Sequence, residues 1–452
     1  MTTDYATDAA RELSEQIGAE RVLQPGDAAY DETLPIWNGA VRSRPAVVVR
    51  PGTTAHVQAA VRAAVAHGLS LSVRGGGHDW AGRSLSDGGL TIDLSAMRSV
   101  TVDATARVAV VSGGALIGDV IAAAAGHGLA AATGTVGAVG FAGLTLGGGY
   151  GPLGGIAGLA LDNLLGADVV LADGRLVSTD KDHEPELFWA LRGGGGNFGV
   201  VTSLRVRLHE VSTVLAGFVF FPWDQAADVW RGYAELVADA PDELTVQTGV
   251  LSGPDGSPLV LVSPVWSGDP ADGAHWAERV RQLGTPVMSQ LAPMTYQAML
   301  SLYDAHIANG RHYTMRTRAL TALTDEAIAV LVEAGATRTS PTSGVVVHHF
   351  HGAATRVAPE STAFGLRQPH LMLEILSAWE PSDQAATHEA WADHLSEALR
   401  PHALPWSYPN VLGPDATDQI ADAYGANTAR LLAAKRRFDP DGVFTAIPLP
   451  AA

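Results

Sequence analysis

The sequence predicts an α+β protein of two domains, one rich in glycine loops and one built on an antiparallel sheet. Three observations carry that expectation. A chain of 452 residues exceeds what one ordinary hydrophobic core organises. Glycine clusters at 75–77, 147–149 and 193–196, then thins after about residue 210. Short alternating apolar runs that read as strands interleave with stretches of helical periodicity along the whole chain.

The elements follow in order. "PAVVVRP" (45–51) is a β-branched strand closed by Pro51, and "TTAHVQAAVRAAVAHG" is a Thr-capped helix stopped by Gly68. "LSLSVR" is a strand feeding Gly75–Gly77; "GLTIDLS" and "ARVAVVSGG" are further strands, and "ALIGDVIAAAAGHG" is a helix. Residues 129–166 show poor periodicity and dense glycine, as backbone that must approach something closely. "ADVVLADGRLVS" reads as a hairpin through Asp173-Gly174. "PELFWALRGGGGNFGVVTSLRVRL" reads as helix, glycine loop and strand.

Beyond residue 210, "LAGFVFF", "SPLVLVSPVW", "SGVVVHHFHG" and "HLMLEILSAW" read as strands of one antiparallel sheet. "DQAADVWRGYAELVADA" and "TDEAIAVLVEAGA" are amphipathic helices expected on one face of it. The tail "NTARLLAAKRRFDPDGVF" is a basic amphipathic helix expected to return to the first domain. The expected boundaries are 1–208, completed by 406–452, and 209–405.

Composition narrows the function. The chain is 47% hydrophobic and 17% charged, an ordinary globular balance, and its formal net charge of -18 disfavours nucleic acid and anionic membrane surfaces as partners. The N-terminal stretch lacks a basic n-region and an apolar h-region, and apolar runs break well short of the ~20 residues a spanning helix needs. A cytoplasmic protein is the expectation. Cysteine is absent, which removes disulfides, thiolate metal sites and a thiol nucleophile.

The glycine clusters suit a pyrophosphate, but no Lys follows a glycine run as in a P-loop, and "RGGGHDWAG" leads into a turn rather than a Rossmann helix. Three clusters together suit one extended ligand touched from several loops. His78, directly after Gly75–Gly77, reads as an ordinary hydrogen-bonded histidine or as the mounting of an attached group. Metal binding lacks a second ligand beyond Asp79, so no metal is expected.

Four ordered segments carry a resemblance: residues 45–82, residues 134–174 from "GTVGAVG" on, "PELFWALRGGGGNFGVVT" and the tail helix. They resemble the FAD-linked oxidases of the vanillyl-alcohol-oxidase and berberine-bridge-enzyme superfamily. The resemblance implies a PCMH-type FAD-binding fold with a central substrate sheet. It implies a flavin bonded through its 8α-methyl to His78, with Arg74, Gly75, Gly76, Gly77, Asp79 and Gly82 around it. Gly134, Thr135, Val136, Gly140, Gly143, Leu144, Gly147, Gly148, Tyr150 and Gly151 would line the cofactor, as would Asn163, Asn197, Gly199, Val201, Tyr408 and Asn410. The second, cysteinyl bond of many members falls at Val136, so the flavin would be held once, as in singly linked bacterial members such as the 6-hydroxynicotine oxidases and polyketide-oxidising enzymes.

The same resemblance implies hydride transfer to flavin N5 from a C–H beside oxygen or nitrogen, with dioxygen as acceptor and hydrogen peroxide as product. The partners would then be a small molecule and dioxygen, in a monomer or homodimer. Tyr408 in "YPN" and Tyr150 are implied near the reacting ring. Two departures stand out: Phe444 is followed by Thr445, Ala446 and Ile447 where the family carries Asn, and the berberine-type glutamate base has no counterpart in "SGVVVHHFHGAA". On that strand His349 and His351 share one face and His348 takes the other; His349 and His351 are the candidate bases. A neutral or cationic substrate is expected, unless Arg311, Arg316 and Arg318 form a local anion site. A flavin oxygenase and a non-catalytic flavin-binding scaffold are the alternative readings.

Overall fold

A computed structural model describes residues 2–304, 307–381 and 384–451. Among the described residues the strands form three sheets. The first joins β1 (Val22–Leu23), β2 (Val47–Val49), β3 (Leu71–Arg74) and β4 (Leu90–Asp93) in the order β1-β2-β4-β3. β2 and β3 each pair parallel to β4, which requires a crossover; the helix Thr54–Ala66, capped by Thr53 accepting from the His56 N–H, supplies it. A helix over Thr2–Ile17 packs on that crossover helix. Its signal is faint against a polar composition: Ala6, Ala10, Leu13 and Ile17 form the buried stripe.

The second sheet is antiparallel and runs β5 (Val100–Asp103), β6 (Val108–Ser112), β10 (Val200–His209), β8 (Leu164–Val170), β9 (Leu176–Thr179), with β7 (Ala130–Ala131) also on β10. The Asp173-Gly174 hairpin joins β8 to β9, with Gly174 at φ +78. The tail returns as expected: the helix Thr428–Phe438 packs on Pro185–Leu191, and Phe444 bridges in parallel to Leu71 of β3.

The third sheet is antiparallel throughout. It comprises β11 (Thr213–Pro222), β12 (Leu244–Ser252), β13 (Pro258–Trp266), β14 (Met288–Thr295), β15 (His312–Leu320), β16 (Gly344–Phe350) and β17 (His370–Trp379) in the order β14-β11-β13-β12-β16-β17-β15. The helices Ala226–Ala238, Asp325–Ala336 and Ala385–Leu399 bury Trp230, Leu331 and Leu395 against Val345 and Val347 of β16 and Leu371 and Leu373 of β17. The other face offers Phe350, Met372, Tyr313 and Met315 to a cluster shared with Trp37, Tyr150 and Tyr408. One helix departs from the single-face expectation. Tyr296–Asp304 sends Tyr296, Met299 and Leu300 into the core of the second sheet, against the helix Ile117–Ala125. Among the described residues no helix is long and apolar enough to cross a membrane.

Candidate active site

The free face of the third sheet meets the glycine loops at His78. The loop after β3 turns His78 so that its imidazole stacks on Trp37, with centroids 4.4 Å apart and planes 12° apart. Trp37 in turn stacks on Tyr313 of β15 at 3.9 Å and 17°. The main chain holds this column: the Trp37 N–H donates to the Gly77 carbonyl at 3.0 Å. Asn38 donates through Nδ2 to the carbonyls of Trp80 (2.6 Å) and Tyr313 (2.9 Å) and accepts from the Tyr313 N–H at 2.9 Å. His78 Nε2 is buried and has no hydrogen-bond partner among the described residues. Burial pushes the His78 imidazole down to about 4, against the upward pull of its own backbone and of the Glu374 and Asp79 carboxylates.

Tyr408 lies nearby on the returning tail. Its hydroxyl oxygen accepts from the Gly149 N–H at 2.8 Å and from Asn410 Nδ2 at 2.8 Å. A side chain at Gly147 would collide with Asn410 Oδ1, so glycine there lets the tail approach. Burial raises the Tyr408 phenol, and the two donors oppose it because both favour the phenolate. The Tyr150 ring sits 4.7 Å from that of Tyr408, and its hydroxyl meets His370 Nε2 at 2.8 Å. His370 Nδ1 lies 2.8 Å from the Gln368 carbonyl, which can accept and never donate. Nδ1 therefore carries the proton and Nε2 accepts from Tyr150. Burial keeps His370 neutral, its value lowered to about 4.

On the sheet side, Gln247 Nε2 lies 2.8 Å from His348 Nδ1, and Glu374 Oε2 lies 3.6 Å from His348 Nε2. With Gln247 donating, Nε2 bears the proton of a neutral His348, and this buried atom has no hydrogen-bond partner among the described residues. The expected sharing of a face by His349 and His351 is seen: their rings stack at 3.8 Å and 5°. His349, however, lies on the face that Val345 and Val347 turn to the helix-covered core, while His351, one residue past the end of β16, packs on Gly155. His351 reaches Thr245 Oγ1 at 3.3 Å, and burial drives His349 to about 2 and His351 to about 4. His348, edge-on to Tyr150 at 6.3 Å, lies with Phe350 on the free face of β16. Glu374 escaped the sequence reading, although a lone acid in the apolar run "HLMLEILSAW" marks it.

Several other expected site residues are engaged by the protein itself. Arg74 donates to the carbonyls of Thr33 and Pro35, and Asp79 accepts from the Arg83 N–H at 2.7 Å and Nε at 3.0 Å. Asn163 Nδ2 donates to the Ala157 and Leu159 carbonyls at 2.9 Å each, and its Oδ1 meets His209 at 2.7 Å. Asn197 donates to the Gly194 and Ile447 carbonyls and accepts from the Ala446 N–H, so it pins the segment where the family Asn is missing. Gly199 packs on Val169 and Val170, and Val201 is buried in β10.

Around His78 the glycines are spent on close approach. A side chain at Gly76 would collide with the backbone of Gly140, and one at Gly151 with the Thr133 carbonyl. Gly75, Gly77, Gly82, Gly134 and Gly148 belong to the same loops, with Thr135, Val136 and Leu144 half-buried beside them. Gly143 is the exception: it is exposed, on the helix Phe141–Gly147, with open space around it. Arg311, Arg316 and Arg318 form no anion site. Arg311 pairs with Glu380, Arg316 with Asp393 and Asp415, and Arg318 donates to Ser396.

Comparison with known proteins places this arrangement. The FAD binding domain family matches residues 45–180, and the berberine and berberine-like family matches 407–447. An FAD-linked oxidoreductase of Gibberella zeae is 31% identical over 459 residues, covering 99% of this chain and 89% of the relative. The (R)-6-hydroxynicotine oxidase of Paenarthrobacter nicotinovorans is 38% identical over 286 residues, 62% of each chain. The crystal structure of 6-hydroxy-D-nicotine oxidase from Arthrobacter nicotinovorans superposes with a TM-score of 0.86 at 28% identity, covering 95% of this chain and 97% of that one. The BBE-like 1 protein of Physcomitrella patens shares the fold, with a TM-score of 0.89 at 23% identity and coverage of 98% and 100%. The chain thus belongs to the berberine-bridge-enzyme-like FAD-linked oxidoreductases, enzymes that oxidise organic substrates with FAD on a PCMH-type fold.

Proposed function

We propose that this protein is an oxidase of a small organic molecule, with FAD attached once, through His78. The observation that carries the reading is His78 itself: a neutral imidazole whose buried Nε2 has no partner among the described residues, beside the contact of Gly76 with Gly140. An orphaned nitrogen in a glycine cradle fits a flavin, and the absence of cysteine leaves no second thiolate bond. Bound FAD supplies the electron acceptor, taking hydride from a C–H beside oxygen or nitrogen and passing the electrons to dioxygen, which leaves as hydrogen peroxide.

The chain's own groups do the rest. Tyr408 takes up the substrate's departing proton at Oη from its ionised form, which the Gly149 N–H and Asn410 donors favour. His348 Nε2–H and the Glu374 carboxylate, 3.6 Å apart, offer a donor and an acceptor to a substrate hydroxyl or amine. Trp37, Tyr150, Tyr313 and Phe350 wall the site with apolar surface that excludes water. In this reading residues 1–208 with 406–452 carry the cofactor and 209–405 select the substrate, in a cytoplasmic monomer or homodimer.

The test is direct. Acid-precipitated protein should retain yellow flavin, a peptide containing residues 75–83 should carry the mass of FAD, and His78→Ala should release its flavin into the supernatant. Substrate should be consumed with loss of two hydrogens and formation of peroxide in air. Complete release of FAD from the wild type overturns the attachment, and a product that gains oxygen overturns the oxidase chemistry.

A further inference from the structure

We infer that Trp37 is a positioning residue for flavin attachment, acting by clamping the plane of the His78 imidazole. The inference rests on His78 being the attachment site. An imidazole rotates freely about its Cβ–Cγ bond unless something holds its faces, and bond formation needs one ring nitrogen aimed along one line. Here the indole covers one face of His78 at 4.4 Å with planes 12° apart. The indole cannot yield, because Tyr313 backs it at 3.9 Å. Its backbone is tied at both ends, the N–H to the Gly77 carbonyl and the carbonyl to the Gly310 N–H, each at 3.0 Å. Asn38 then staples the next residue to Tyr313 and Trp80. The column therefore joins β15 of the third sheet to the loop bearing His78, and it leaves the Nε2 edge of the imidazole uncommitted.

This orientation serves the attachment step. A bond forms between an imidazole nitrogen and the 8α-methyl carbon; the imidazole N–H and one methyl C–H are lost as protons. The two electrons pass through the flavin ring to dioxygen, which takes up both protons and leaves as hydrogen peroxide. A preset imidazole plane lowers the entropic part of that barrier. Trp37 touches His78 and does no chemistry itself.

Full-length Trp37→Phe and Trp37→Leu, purified with their flavin, test this. The readout is the fraction of flavin that stays with the acid precipitate, followed during incubation with FAD in air, against total flavin bound before precipitation. Phe keeps a flat face on the imidazole and should attach flavin within about threefold of the wild-type rate. Leu should attach it at least tenfold more slowly while binding a wild-type amount of FAD. Equal rates in Leu and wild type overturn the inference and leave the His78 reading standing; a wild type that releases all its FAD overturns both. Should Trp37→Leu hold no flavin, Tyr313→Leu, which removes the indole's far support, takes its place: slowed attachment at full FAD content supports the clamp, and an unchanged rate overturns it.

Discussion

Asn410 donates a hydrogen bond from Nδ2 to the Tyr408 hydroxyl oxygen at 2.8 Å, and the Gly149 N–H donates to the same atom. Two donors and a buried ring set opposite demands on that oxygen. Burial holds the proton on, the donors favour its loss, and burial is the larger effect. A base of this kind works in proportion to its ionised fraction, which grows as pH rises. Anaerobic flavin reduction by substrate should accelerate with pH into the alkaline range. Tyr408→Phe should slow it at least tenfold, about 1.4 kcal/mol of barrier. Asn410→Leu should move the rise to higher pH. Reduction in Tyr408→Phe that matches the wild type at every pH removes Tyr408 from the chemistry.

The sheet-side pair divides recognition from proton transfer. Glu374→Gln and His348→Phe should raise KM for a hydroxyl- or amine-bearing substrate by about an order of magnitude. His349→Phe, on the helix-covered side of β16, should leave KM unchanged. Steady-state kinetics on the three variants decide it, and a KM change confined to His349→Phe would reverse the assignment.

The stacked His349 and His351 make the fold sensitive to acid. Both are neutral at pH 7 in the folded and unfolded chain. Below the ordinary histidine value near 6.5 the unfolded chain takes up protons that the folded one refuses, since His349 is lowered to about 2 and His351 to about 4. Stability contributed by these groups is thus complete above about pH 6.5 and is lost as pH falls toward 4. At pH 5 each should cost on the order of 2 kcal/mol. Denaturant unfolding at pH 7 and pH 5 should show a smaller acid loss in His349→Phe than in wild type.

Arg367 and Asp162 form a bidentate pair at 2.8 and 2.9 Å, with side chains 2% and 8% exposed. Arg367 also donates to the carbonyls of Phe364 and Ala354 and to Thr362 Oγ1. Asp162→Ala leaves a buried guanidinium unpaired and should cost about 3–5 kcal/mol. Asp162→Leu combined with Arg367→Met should recover part of that loss. Thermal melts of the single and double variants measure the coupling, and additive losses would exclude it.

Charge should favour neutral or cationic substrates, because the chain carries -18 and Arg311, Arg316 and Arg318 are already engaged. A carboxylate-bearing analogue should show a lower kcat/KM than its amide, with a gap that narrows as salt is raised. A gap that is absent at low salt contradicts the expectation.

Local pattern determined a large part of this protein. The strand and helix periods, the Asp173-Gly174 hairpin, the basic tail helix and the glycine runs follow from interactions within a few residues. So does the sharing of a face by His349 and His351, because a strand alternates whatever it packs against. Which of the two faces looks into the site is not a local property. It depends on where the helices Ala226–Ala238, Asp325–Ala336 and Ala385–Leu399 settle, and they cover the His349 side. Trp37 and Tyr313 stand 276 positions apart in the chain and stack only because β15 and the His78 loop converge. Asn163 and Asn197 match cofactor motifs, yet their amides are consumed by carbonyls that only the folded chain brings within reach. Glu374 is plain as an acid in an apolar strand; that it meets His348 on the free face is decided by the register of β16 on β17.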